Sequence, residues 1–440
     1  MRLLKKTSVC IFLFVLAASC FAVTLHTDMP ESASVRRKLI DSWFTENTAV
    51  LAEKEPEIIS NEAGEVFRVS YDDETCSVTV VPQKRTPLLL VTDDGVVETY
   101  QESYTPGAAG TWVLFLDRMT GNPLSIRYFF AGDSDVYVQF RPGSKGYATK
   151  SVVDFVVYGA YAAHNVVTGI TMEQLFTMSL EDVVTLTEHS LPWIDGKFFP
   201  EFCESNMQMS AVIQEHLDDF VYVENAVYDE YGNLTMLKNA PLPDVPDGKR
   251  AISGPGFLKW IVDGLVRPVS GSGLRVNPLL QPTTTIVSAD SNTASDEYDT
   301  TLALDWTHNL ATAAVSVITG ITYSYEESGV NVHPEQFSAK YTENAGYLIK
   351  ELKPILYLIS ANETGYFYLG AVRHQVKTPS QFVTYNECVA FFPYFNANGV
   401  FETDVFADGR MYTLDEYIEE HAEDMIQLTR INASLQFFPD

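Results

Sequence analysis

Residues 251–268 read AISGPGFLKWIVDGLVRP, and the way this stretch folds decides the architecture of the C-terminal half. Ser253 is a good N-cap, Pro255 suits the first helical position, and Gly254 and Gly256 let the backbone approach a neighbour closely. Lys259, Asp263 and Arg267 fall at i, i+4 and i+8 and form one polar stripe. Phe257, Leu258, Trp260, Ile261, Val262, Leu265 and Val266 cover the rest, which predicts a helix buried over most of its surface. Buried helices that open on a tight glycine turn often present a ligand or a nucleophile at their start. Ser253, Gly254 and Gly256 are therefore candidate binding residues.

Working outward, the Pro- and Asp-rich run NAPLPDVPDGKR (239–250) reads as a domain linker. It divides the chain into an N-terminal unit, 23–240, a linker, 241–250, and a C-terminal unit, 251–440. In the N-terminal unit, residues 31–54 have the spacing of an amphipathic helix, with Val35, Leu39, Trp43, Val50 and Leu51 on or near one face. From about 60 to 160 the period changes to two, and short β-branched and aromatic runs alternate with turn residues such as those of DRMTGNP, an antiparallel meander. Residues 160–225 turn helical again, and DEYGN (229–233) is a tight turn. Beyond 268, LALDWTHNLATAAVSVITG and AGYLIKELKPILYLIS predict helices. The runs TGYFYLGAV, NECVAFFPYF, VFETDVF, RMYTL and IQLTRINASLQFF predict strands, with LDEYIEEHAEDM as a short acidic helix before the last. The fold class expected is α+β, a β-rich antiparallel domain followed by an α+β domain.

The first residues predict export. Arg2, Lys5 and Lys6 precede the apolar run VCIFLFVLAA, which is too short to span a bilayer comfortably, and residues 1–22 read as a signal peptide. Two cleavage sites compete: LAASC places small residues before Cys20, resembling a lipoprotein signal, and CFA before Val23 suits ordinary signal peptidase. The first makes Cys20 the expected site of lipidation and membrane anchoring. The net charge of −29 repels nucleic acid, which is not an expected partner. Outside the signal segment only Cys76, Cys203 and Cys388 remain, too few for a disulfide scaffold.

The chain has no phosphate-binding loop, no His-Glu-x-x-His and no Gly-x-Ser-x-Gly elbow. His164, His189, His216, His308, His333 and His374 share no metal-ligand spacing, and the stretch with Asp290, Asn292 and Asp296 lacks the central Gly and terminal Glu of a calcium loop. Neither cofactor nor metal is expected.

One order of motifs stands out. SGPGFLKWI, then TGYFYLGAV, then YNECVAFFPYFNANGVFETDVF resembles, over about residues 250–412, the papain-like cell-wall peptidases of the NlpC type. The resemblance implies a papain-like domain in which a Cys opens a buried helix and a His opens a following strand. Matching Gly256-Phe257 to the family's Gly-Phe puts Gly254 at the position of the nucleophile and Asn386 at that of the histidine. Glycine has no side chain and an amide is no base near neutral pH, so the catalytic pair is missing. Ser253 and Cys388 stand one or two positions away; on a strand a shift of two keeps the face. The implied function is a non-catalytic peptidoglycan- or peptide-binding pseudoenzyme of the cell envelope, with Ser253, Gly254, Gly256, Asn386 and Cys388 around the ligand. Two alternatives stand beside it, an active hydrolase using Ser253 or another nucleophile, and a structural or surface interaction lipoprotein.

Overall fold

A computed structural model of the chain describes residues 29–92, 95–143, 150–193, 203–238, 240–283, 301–332, 340–343, 345–374, 385–396 and 398–439. Cys20 and the signal segment, His333, and the acidic stretch with Asp290, Asn292 and Asp296 lie outside the described residues.

The chain is α+β. Its first helical stretch is broken where a continuous helix is expected, into α1 (Ala33–Leu39), a π-helical turn (Ile40–Phe44) and α2 (Thr48–Ala52). The wider turn, closed by Thr45 N–H on the Ile40 carbonyl, lets the neighbours Trp43 and Phe44 both enter the core. Asn47 then restarts the helix by accepting from the Ala49 N–H. Strands β1 (Glu57–Ser60), β2 (Val66–Asp72) and β3 (Ser77–Pro82) follow. Next come β4 (Lys84–Thr92) and β5 (Gly95–Ser103), expected inside the meander, which pair only with each other. Their ribbon exposes Leu88 to Val91, Val96 and Val97. β6 (Trp112–Leu116), β7 (Pro123–Phe129), β8 (Val136–Pro142), β9 (Ser151–Val157) and β10 (Ala160–Val167) complete an eight-stranded antiparallel sheet ordered β1-β2-β3-β6-β7-β8-β9-β10. Asp117 makes the β6–β7 turn by accepting from Met119 N–H and Thr120 N–H.

Helices α3 (Met172–Leu175) and α4 (Leu180–Thr187) cover this sheet together with α1. Arg36 ties the cover down. Fully buried, it donates to the carbonyls of Leu175, Phe176 and Met178 at 3.0, 3.0 and 2.7 Å and lies over the rings of Trp112 and Tyr128.

Helix α5 (Glu204–His216), β11 (Phe220–Tyr222), β12 (Ala226–Tyr228) and β13 (Leu234–Met236) come next. The sequence assigns them to the N-terminal unit, yet they pack on the C-terminal one. Asn206 Nδ2 donates to the carbonyls of Tyr366 and Pro393, and β11 pairs in parallel with β14 (Arg250–Ile252) across the expected linker. That linker is irregular and mostly exposed from 240 to 249.

Helices α6 (Gly254–Ser270), α7 (Val276–Leu279), α8 (Leu302–Thr319) and α9 (Tyr325–Ser328) follow. The next stretch, expected as one helix, enters as β15 (Tyr347–Leu348) and becomes α10 (Leu352–Asn362) after a 3-10 turn. Then come β16 (Tyr366–Arg373), β17 (Tyr385–Phe395), β18 (Phe401–Ala407), β19 (Arg410–Thr413), α11 (Leu414–His421) and β20 (Met425–Asn432). The second sheet runs β15-β20-β16-β17-β18-β19, all antiparallel. The strand predicted through Phe438 ends at Asn432; Phe437 instead packs over α6, and Phe438 N–H donates to the Gly264 carbonyl.

Each face of this sheet belongs to a different apolar cluster. Phe367, Leu369, Cys388, Ala390 and Phe392 pack under α5, α6 and α8. The other face, with Tyr368, Val389 and Phe391, joins α10, α11 and the N-terminal sheet in one continuous core. Tyr158, between β9 and β10, meets Tyr357 and Phe401 edge-on or tilted at ring distances of 5.8 and 6.3 Å. The two sheets therefore share a core. No helix among the described residues is long and apolar enough to cross a membrane.

Candidate functional site

Ser253 caps α6 through its own hydroxyl, which accepts from Gly256 N–H at 3.2 Å and donates to the Ala226 carbonyl at 2.8 Å. It is buried and both hydrogen-bonding directions are used. Gly256 is the second constraint. A Cβ there would stand 2.3 Å from the Ala226 carbonyl oxygen, a backbone atom that cannot step aside. At Gly254 a Cβ would stand 2.6 Å from Asp408 Oδ1, the end of a side chain that can rotate. Gly256→Ala is expected to lose stability at the upper end of the roughly 1–3 kcal/mol typical of overpacking. Gly254→Ala should be close to neutral, helped by the better helix propensity of alanine. Thermal unfolding of the two variants checks this contrast.

Asp408 thus occupies the space in front of α6. It lies in the β18–β19 turn at φ 51°, and burial pushes its carboxyl above the ordinary value, with Glu387 adding to the shift and Arg410 opposing it. Beside it opens a cleft of about 250 Å³ lined by Tyr222, Asp408, Arg410 and Tyr412. Tyr222 reaches this cleft because it pairs with Ile252, the residue before the Ser253 cap. Cys388 lies under α6 in the core, and burial pushes its thiol far above the usual range. Asn386 belongs to β17 at a break in the pairing with β16. The expectation that its side chain faces the start of α6 lies outside what the structure describes.

No activated nucleophile stands at the mouth of α6 among the described residues. The hydroxyl of Ser253 is committed, Gly254 has no side chain, and the Cys388 thiol is buried and protonated.

The buried stripe of α6 is ionic. Lys259 Nζ and Asp263 Oδ2 are 2.6 Å apart, both nearly inaccessible, and Asp263 Oδ1 also accepts from Leu274 N–H. Burial pushes the lysine down and the carboxyl up, each against the attraction of the other.

His308, in α8, contacts Thr283 Oγ1 and Tyr325 Oη at 2.8 and 3.1 Å and stacks on Tyr325. Burial holds it down at about 3. The unfolded chain takes up a proton here below about 6.5 and the folded chain does not, so stability falls as pH drops from 6.5 toward 3. The slope is at most about 1.4 kcal/mol per pH unit. Unfolding free energies of wild type and His308→Gln between pH 6.5 and 4 should differ by this slope. Equal slopes would mean that the folded protein also protonates His308.

Sequence spacing gives no sign of a further cluster. His374, just past β16, His421, closing α11, Glu387 in β17 and Asp424 before β20 converge at one end of the second sheet. His374 Nδ1 and His421 Nδ1 lie 2.9 and 3.2 Å from the same oxygen, Asp424 Oδ2. Their Nε2 atoms lie 3.4 and 3.7 Å from the two oxygens of Glu387, which also accepts from Tyr417 Oη at 2.8 Å. The hydrogen bond with Glu387 leads the groups that raise His374 to about 9. These are residue types that can hold a metal ion. β16, β17 and β20 are neighbours in the sheet, so Glu387 and His374, 34 and 47 positions before His421, meet it only in the fold.

The N-terminal unit has its own cleft, about 660 Å³, between the π-helical turn, the β6–β7 turn and α3, lined by Phe44, Asn47, Met119, Thr120, Asn122 and Phe176 among others. Residues 26–195 match a family model described as a domain of unknown function (DUF8515). This span ends before α5, at the point where the packing passes to the second sheet. No curated protein and no solved structure matches the chain.

Proposed function

We propose that the protein is an exported cell-envelope protein, anchored through lipid on Cys20, whose C-terminal unit binds a peptide or peptidoglycan fragment without cutting it. The reading treats that unit as a papain-like domain stripped of its catalytic pair. One observation carries it: Asp408 fills the space before Gly254, beside a small open cleft bearing a carboxylate, a guanidinium and two phenols. A guanidinium takes a carboxylate in bidentate fashion, a carboxylate takes an amine, and the phenol rings supply flat apolar area with a polar edge. Such a set suits a short peptide carrying both charges, the chemistry of wall stem peptides. The volume fits amino-acid-sized groups, below the usual range for larger ligands. The apolar segment after Arg2, Lys5 and Lys6 and the small residues before Cys20 support export and anchoring.

Incubation of the protein with soluble peptidoglycan fragments, followed by mass spectrometry, tests the non-catalytic part. The expected result is no product from wild type or Ser253→Ala. Product formation that Ser253→Ala abolishes would overturn the reading in favour of an active hydrolase.

A further inference from the structure

We propose that His374, His421 and Asp424 bind one divalent transition-metal ion of the zinc class, with Glu387 orienting both imidazoles from the opposite side. This cluster lies across the sheet from α6: Glu387 and Cys388 are successive in β17, so their side chains leave opposite faces of the sheet. Cys388 turns to α6, whereas Glu387 meets Tyr417 of α11.

The first argument is charge. Four nitrogen–carboxylate contacts connect two imidazoles to two acids, those to Asp424 at hydrogen-bond distance and those to Glu387 longer, at 3.4 and 3.7 Å. Two carboxylates around two imidazoles favour positive charge between them, which protons or one bound cation supply. The arrangement is the one that metal sites use, in which one ring nitrogen binds the ion and the other donates to a carboxylate. Here both Nε2 atoms face Glu387, itself fixed by Tyr417, and both Nδ1 atoms face Asp424.

Distance is the second argument. Bonds of about 2.0–2.1 Å in a tetrahedral site set ligand atoms about 3.3–3.4 Å apart. The two Nδ1 atoms stand 2.9 and 3.2 Å from Asp424 Oδ2, and one donor atom from each of the three residues lies within 4.8 Å of the others. Burial suits it too. His421, Asp424 and Glu387 are 16–18 % exposed and His374 is 34 % exposed, which shields the ligands while leaving a way in. Two imidazoles and one carboxylate favour zinc, cobalt, nickel or copper over calcium or magnesium, which want oxygen alone. Three protein ligands leave a fourth position for water or a small ligand.

The test is calorimetric titration of the metal-stripped full chain with Zn²⁺, in excess Ca²⁺ and Mg²⁺ to occupy the acidic surface. Substitution by Co²⁺, read by its visible absorption, reports the ligand geometry. The expected result is one Zn²⁺ per chain, at least tenfold weaker binding in His374→Ala and in His421→Ala, and unchanged binding in His164→Ala. His374→Gln and His421→Asn, which keep most of the side-chain volume, should lose binding likewise, separating ligation from folding. Absence of stoichiometric Zn²⁺ binding to wild type, or equal affinity in the His374→Ala/His421→Ala double variant, would overturn the proposal.

Discussion

Asp263→Ala is expected to destabilise the protein by roughly 3–5 kcal/mol, the scale set by removing one partner of a buried ion pair. The lysine left behind at position 259 has no water to turn to, since both side chains are nearly inaccessible on the inner face of α6. Leu274 N–H loses its acceptor as well. Lys259→Met together with Asp263→Asn keeps an acceptor for Leu274 and leaves no unpaired charge. That double variant should be more stable than either Asp263→Ala or Lys259→Met. Denaturant unfolding of wild type, Lys259→Met, Asp263→Asn and the double variant completes the cycle. Additive losses would show that the two charges do not depend on each other.

Arg36→Ala is expected to cost a similar amount, about 3–5 kcal/mol, in the N-terminal unit. One guanidinium holds three consecutive-turn carbonyls between α3 and α4 and rests on two aromatic rings. Removing it takes a donor from all three carbonyls, of which only those of Leu175 and Met178 keep Tyr128 Oη, and loosens the helical cover from Trp112. Arg36→Lys should rescue little, because an ammonium cannot reproduce the planar fork. Near-ultraviolet circular dichroism during chemical unfolding reports the change in aromatic packing. A loss under 1 kcal/mol would mean that other groups hold the cover.

The parts of the fold governed by local chemistry were legible in the sequence. The Ser253 cap, the buried face of α6, the Asp117 turn and the hairpins of the second sheet all follow from residues a few positions apart. The places that departed from expectation are those where distant contacts decide. Residues 31–54 have helical spacing throughout, but burying both Trp43 and Phe44 opens a π-helical turn. A Pro- and Asp-rich run looks like a boundary between separate units, yet pairing of β11 with β14 carries α5 across it. The ionic stripe of α6 is visible in the sequence, although nothing there shows that it faces inward rather than to solvent. Gly254 was legible as a position without chemistry; its neighbour Asp408, in a hairpin turn more than 150 residues away, was not. The same holds for His374, Glu387, His421 and Asp424, which have no motif spacing because three strands and a helix bring them together.

The central claim is that the mouth of α6 receives a peptide and leaves it intact. Its most direct measurement is a titration of the protein, labelled at its tyrosine rings for NMR, with a soluble wall stem peptide. The account predicts saturable shifts of Tyr222 and Tyr412, their loss in Arg410→Glu, and an unaltered peptide at the end of the titration. Saturable shifts confined to rings remote from this cleft, or cleavage of the peptide during the titration, would contradict it.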